Sequence, residues 1–157
     1  MADIDAVHPR DVAASGRELA GMDYIRAIFA GEMPAPPISE LMGFRGVLAE
    51  PGRAVFEMEP GPQHYNPIGS VHGGVALTLL DSAMGCAVHT LLEAGVGYTT
   101  LEVKTNFVRP ITSDTGVVRC EGVVIHQGAR IATAEGKLTD ANGKLLAHGT
   151  TTCLIFR

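Results

Sequence analysis

The chain is short of charge. Asp, Glu, Lys and Arg make up 18% of its 157 residues, below the ~25% of an ordinary globular domain. Fewer side chains therefore demand water, and extra surface is expected to be buried between subunits. It also lacks a basic excess: 12 Lys and Arg against 17 Asp and Glu give a net charge of −5, which argues against the basic face a nucleic-acid binder needs. A few local cations would still serve small coenzyme-like anions. Cysteine is scarce. Cys86, Cys120 and Cys153 are odd in number, irregular in spacing and without a C-x-x-C pair, which reads as reduced thiols of a cytoplasmic protein rather than a disulfide framework. The six histidines show neither H-x-H nor H-E-x-x-H spacing, so no metal site is expected. The acidic start, MADIDAVHPRDVAAS, has no apolar export core. The most apolar run, Val75 to Leu92, carries Thr78, Asp81, Ser82 and His89, which a membrane span would rarely accept. A soluble protein with no membrane or nucleic-acid partner is the expectation.

Hydrophobic residues reach 46%, and a chain of this size buries a core without staples. Residues 1–15 are polar and without period, and are expected to be loose. Leu19, Met22, Tyr24, Ile25, Ile28 and Phe29 recur at helical spacing, predicting one amphipathic helix within Gly16–Gly31. Pro34, Pro36 and Pro37 end it. A helical turn follows at Ile38–Met42. Gly43–Glu50 and Arg53–Glu59 flank Pro51-Gly52 as a hairpin. Pro60 to Gly74 reads as loop, and Val75 to about Glu93 as a long, largely buried helix. Thr99–Arg109 alternates cleanly as a strand, with Leu101, Val103, Thr105 and Phe107 on one side. Three more strands follow over Val117–His126, Arg130–Thr139 and Lys144–Phe156, the last two joined by the turn Asp140-Ala-Asn-Gly. Two strands, one buried helix and four strands define an α+β domain with antiparallel sheet around that helix. Residues 1–37 form an extension and 38–157 the domain.

The chemistry concentrates in His64-Tyr-Asn-Pro-Ile-Gly-Ser-Val-His-Gly-Gly-Val75. Pro67 forces Asn66 into extended backbone, displaying its amide from a stiff support. Gly73 and Gly74 stand where the long helix should begin, a place where helix formers would serve better on propensity alone. Glycine there lets a ligand approach backbone N–H groups that have no intrahelical partner and that favour negative charge. A carbonyl turning into an oxyanion is such a charge. The plainer alternative makes Ser70 an N-cap of Gly73 and the glycines a packing device; His72 is equally readable as a supporting histidine. Asp81 lies in mid-helix among Leu79, Leu80, Ala83 and Met84, where a carboxylate is costly unless partnered or used as base or nucleophile. Gly73 and Asp81 are eight residues apart. Their backbones are then roughly 12 Å apart along a helix and face about 80° apart around it. If both act on one carbonyl, the second must come from another subunit.

The run H-x-N-P-x-G-x-x-H-G-G, with an Asp eight residues after the first of the paired glycines, resembles the PaaI-type acyl-CoA thioesterases of the hotdog fold. The similarity runs from about Ile38 to the C-terminus and takes in Thr99–Pro110, Gln127–Arg130 and Gly143–His148. The resemblance implies a curved antiparallel sheet wrapped around one long helix, here with an extra N-terminal helix, and homodimers assembling to a homotetramer. It implies hydrolysis of an acyl-CoA thioester, with CoA as part of the substrate and no cofactor. Asn66 would place the thioester or water, the Gly73 N–H would polarise the carbonyl, and Asp81 of the other chain would be nucleophile or base. Thr100, with Thr99 as rival, would orient the water, and His72 would support them. Gly74, Lys104, Arg109 and Arg130 would contact substrate, the three cations facing the CoA phosphates. A non-catalytic acyl-CoA binder and a hotdog hydratase or dehydratase are the competing readings.

Overall fold

Each change of hydrophobic period along the chain becomes a change of element in the computed structural model, which describes residues 8–157. Three short helices come first: α1 (Pro9–Gly16), α2 (Gly21–Phe29) and α3 (Pro37–Met42). The first is absent from the sequence expectation of a loose start. It forms because Pro9 begins it and the His8 ring accepts the Arg10 N–H at 3.2 Å, a cap on an orphan donor. Residues 1–7 of that expectation lie outside the described residues. The helix expected within 16–31 is confined to α2, and Gly31 leaves it with φ +75°. The hairpin β1 (Phe44–Glu50) and β2 (Arg53–Met58) turns at Pro51-Gly52, and after the loop come α4 (Gly73–His89), β3 (Gly97–Phe107), β4 (Val118–Gln127), β5 (Ile131–Thr139) and β6 (Leu145–Phe156).

The strands form one antiparallel sheet in the order β1-β2-β4-β5-β6-β3. It curls around α4, which touches every strand. Leu79, Leu80, Met84 and Val88 are fully buried against it, each worth roughly 1.5–3 kcal/mol relative to exposure. The helix lies close because Gly122 of β4 has no side chain: a Cβ there would sit 2.3 Å from the Ala83 carbonyl. Among the described residues, no helix is long and apolar enough to cross a membrane.

Two boundaries of α4 differ from the sequence expectation. It starts at Gly73, two residues early, because the His72 ring and not Ser70 provides the N-cap. It stops at His89, four residues early. There Thr90 turns its hydroxyl back to the Ala87 carbonyl at 2.6 Å and accepts the Gly52 N–H at 2.8 Å, tying the helix end to the first hairpin.

The strand β3 also departs from clean alternation. Its register against β6 slips between Thr100 and Glu102, leaving Leu101 as a bulge, 56% exposed. Thr100 pairs with Cys153 and Val103 with Thr151, so both face the helix although they are three positions apart. The extra residue of a bulge permits that. β3 is an edge of the sheet, and Leu101 and Phe107 stand exposed on it.

Candidate active site

Asp81 projects from the middle of α4 toward β3, half-buried, and Thr100 Oγ1 donates to its Oδ1 at 2.9 Å. The bulge at Leu101 sets this contact, since it turns Thr100 inward. Thr99 is exposed and pairs with Leu154 on the other face. The carboxylate lies on the wall of a cavity of about 360 Å³. Its charge is felt there. Burial first, and the Asp81 charge second, push the Cys86 thiol up to about 12. The Tyr98 phenol is likewise raised, by burial before any charge. Cys86 and Tyr98 are therefore held in their neutral forms beside the carboxylate.

Helix α2 forms one wall of the cavity. Tyr24, Ile25, Ile28 and Phe29 of α2 line it. Gly46 of β1 makes this docking possible, for a Cβ there would fall 2.0 Å from the Phe29 ring. Leu80 and Met84 do not line it and are fully buried against the sheet. Along α4 the lining residues are Ser82, Cys86 and His89. Their spacing of four and three residues, a stripe of small and polar side chains on an otherwise apolar helix, is the signal that would have found them.

The glycine end of α4 is built differently. Asn66 spends its side chain on its own loop: Oδ1 accepts the Ile68 N–H at 3.0 Å and the Ser70 N–H at 3.3 Å, and Nδ2 donates to Ser70 Oγ at 3.2 Å. That is the turn geometry Asn favours. His64 is buried, accepts the Gly61 N–H on Nδ1 at 2.9 Å, and places Nε2 3.0 Å from the Met42 carbonyl. With Nδ1 accepting, Nε2–H donates, which pins the loop to the end of α3. His72 Nδ1 accepts the Gly74 N–H at 2.9 Å, so the Gly74 donor is committed. The Gly73 N–H has no acceptor among the described residues. Gly73 lines, with Asn66, His72 and Arg109, a second cavity of about 320 Å³.

The candidate residues thus fall into two sets. Asp81 and Thr100 share one cavity, and Asn66, His72, Gly73 and Arg109 share another. The candidate cations are scattered. Arg109 donates to the Leu145 carbonyl, Lys104 sits opposite Thr150 on the outer face of the sheet, and the Arg130 carbonyl accepts the Ile155 N–H at 2.8 Å. Arg109 and Arg130 therefore lie near opposite ends of β6, nine residues or about 30 Å apart. Among the described residues, no group of three His, Cys, Asp or Glu is placed to hold a metal ion.

A family model described as "Thioesterase superfamily" matches residues 68–147, the stretch from the glycine loop to β6. Human acyl-coenzyme A thioesterase 13 is 32% identical over 104 residues, 66% of this chain and 73% of its own. A 1,4-dihydroxy-2-naphthoyl-CoA hydrolase of Listeria monocytogenes is 29% identical over 109 residues, 69% of this chain and 87% of its own. A solved structure of a mutant of the phenylacetic acid degradation protein PaaI from Thermus thermophilus superposes with a TM-score of 0.68 at 29% identity, covering 76% of this chain and 98% of that one. The chain belongs to the thioesterase superfamily and has its hotdog fold. It is a thioester hydrolase with PaaI proteins among its structural neighbours.

Proposed function

We propose that this enzyme hydrolyses acyl-CoA thioesters to free acid and CoA, at a site completed by two copies of the chain. The observation that carries the reading is the division of the site. A carboxylate held by Thr100 faces an apolar cavity, while Gly73, its N–H uncommitted, lines another. Eight helical residues separate them by roughly 12 Å. An acyl group in the Asp81 cavity would bring its carbonyl to Gly73 of a second copy, docked along the exposed edge of β3. A two-fold pair repeats the arrangement at both ends, and we extend the assembly to a homotetramer.

In this reading Asp81 either attacks the thioester carbon, expelling CoA as thiolate and leaving an anhydride for water to open, or takes the proton of a water that attacks directly. In both routes the carbonyl oxygen gains negative charge, and the Gly73 N–H at the positive end of α4 stabilises it. Thr100 orients the carboxylate. Asn66 and His72 act through the loop and cap that hold Gly73 in place, and Gly74 serves that cap. Arg109, beside the Gly73 cavity, takes the CoA phosphates; Lys104 and Arg130 would join it only from the other copy. CoA enters as substrate and no cofactor takes part. Three free cysteines fit a reducing compartment, and we place the protein in the cytoplasm.

The test is thiol release from a panel of acyl-CoA esters by wild type and Asp81→Asn. The expected loss in kcat is about 10²–10⁴-fold, with KM little changed because a transition-state role is removed. Wild-type turnover in Asp81→Asn refutes the mechanism. Tight CoA-ester binding without turnover in the wild type would favour the non-catalytic binder, and loss of water from a 3-hydroxyacyl-CoA to give the enoyl-CoA would favour a dehydratase.

A further inference from the structure

The far wall of the Asp81 cavity is one layer of rings thick. Tyr24 of α2, His89 of α4 and Tyr98 of β3 line that cavity, and the same three line another of about 220 Å³ behind them. The rings stand in a row. The Tyr24 and His89 centroids are 5.6 Å apart and tilted 60°, and those of His89 and Tyr98 are 5.3 Å apart and tilted 55°. Glycines seat the two outer rings: a Cβ on Gly16 would fall 2.3 Å from the Tyr24 ring, and one on Gly85 2.8 Å from the Tyr98 hydroxyl. Burial holds the His89 imidazole below its usual range, so the row is uncharged at neutral pH and compatible with hydrocarbon.

His89 lies eight residues beyond Asp81, about 12 Å along the helix. That is the reach of roughly ten single bonds, taking ~1.2 Å of extension for each. We propose that this row of rings is the partition that sets the acyl length the enzyme accepts, with Tyr24 the specificity-determining member. Chains that end short of the row fit, and longer ones would have to breach it into the cavity behind. Tyr24 lies outside the stretch 68–147 that matches the superfamily, so this chain's own extension supplies the stop. The inference rests on the acyl-CoA reading above.

The test compares straight-chain acyl-CoA esters of increasing length in wild type, Tyr24→Ala, Tyr24→Phe and Gly16→Ala. Wild-type kcat/KM should rise to a ceiling and then fall. Tyr24→Ala should move the ceiling to longer chains, recovering roughly fourfold for each methylene newly buried. Tyr24→Phe keeps the ring and should keep the ceiling. Gly16→Ala pushes the Tyr24 ring into the cavity and should shorten it. Thermal melts identify a variant that fails to fold, in which case the other of the two opposed variants decides. Identical ceilings in wild type and in the folded members of the pair Tyr24→Ala and Gly16→Ala overturn the proposal, as does a shift in Tyr24→Phe equal to that in Tyr24→Ala. Calorimetric binding of the free straight-chain acids reads the same ceiling without turnover. A wild type that hydrolyses no ester in the series therefore refutes the functional reading, while the partition is still judged.

Discussion

Gly73→Pro removes one hydrogen atom's worth of chemistry at little structural cost. Gly73 is the first residue of α4, the position where proline is favoured because its missing N–H would have no intrahelical partner anyway. His72 before it has φ −60° and ψ 135°, the extended geometry that a following proline requires. The substitution should therefore leave the helix standing while deleting the donor assigned to the oxyanion. Loss of one such donor typically costs about 10²–10³-fold in kcat, and that is the expected fall in thiol release. Gly73→Ala is the control. Its Cβ would meet the Phe107 ring at 3.0 Å, but that ring is 59% exposed and can swing away, while the N–H stays. Mixing supplies a second reading. Unfolded together and refolded, inactive Gly73→Pro and inactive Asp81→Asn chains should regain about a quarter of wild-type activity, because half the pairs are mixed and each mixed pair carries one intact site. Wild-type kcat in Gly73→Pro, or equal losses in Pro and Ala, would refute the role of the amide. A mixture as inactive as its parents would refute the shared site.

Thr100→Val should lower kcat by about 10–100-fold, the worth of a hydrogen bond to a charged group. Thr99→Val should not, and equal effects of the two would detach Thr100 from Asp81. Gly122→Ala drives a methyl against the backbone of α4. It should cost about 1–3 kcal/mol and lower the thermal midpoint by about 2–4 °C for each kcal/mol; an unchanged circular-dichroism melt would contradict the packing. His89 titrates below its ordinary 6.5 because burial disfavours its cation. The unfolded chain binds that proton first as pH falls, so the folded state loses stability below about pH 6.5. Denaturant midpoints in His89→Phe should decline less steeply with acid than those of wild type, and parallel curves would refute the assignment.

The order of elements was legible because period is a local property. The turn dipeptide Pro51-Gly52 between two strand-like runs and the helical recurrence of apolar residues from Val75 to about Glu93 each mark an element, whatever lies against it. Asp81 was legible for a similar reason, as a carboxylate with no cheap place in an apolar helix. The conflict between Thr100 and Val103 was not. Both cannot face one side of a regular strand, and only the pairing of β3 with β6 reveals the bulge that lets them. The Asn-Pro pair suggests a displayed amide, but the Asn66 partners Ile68 and Ser70 belong to a turn that closes only when the loop is folded. The same holds for the His72 cap, since a histidine there gives no standard N-cap signal.

By itself, then, the sequence determined the α+β order, the long central helix, the acid at position 81 and the paired glycines, since each follows from the energetics of a short stretch of chain. Tertiary structure alone decided that Asp81 and Gly73 line separate cavities, and that α2 forms a wall of the first of them. It alone put Tyr24, His89 and Tyr98 in one row. The row rests on a contact between residues 65 positions apart, Tyr24 and His89, and no local period or propensity encodes a distance across the fold.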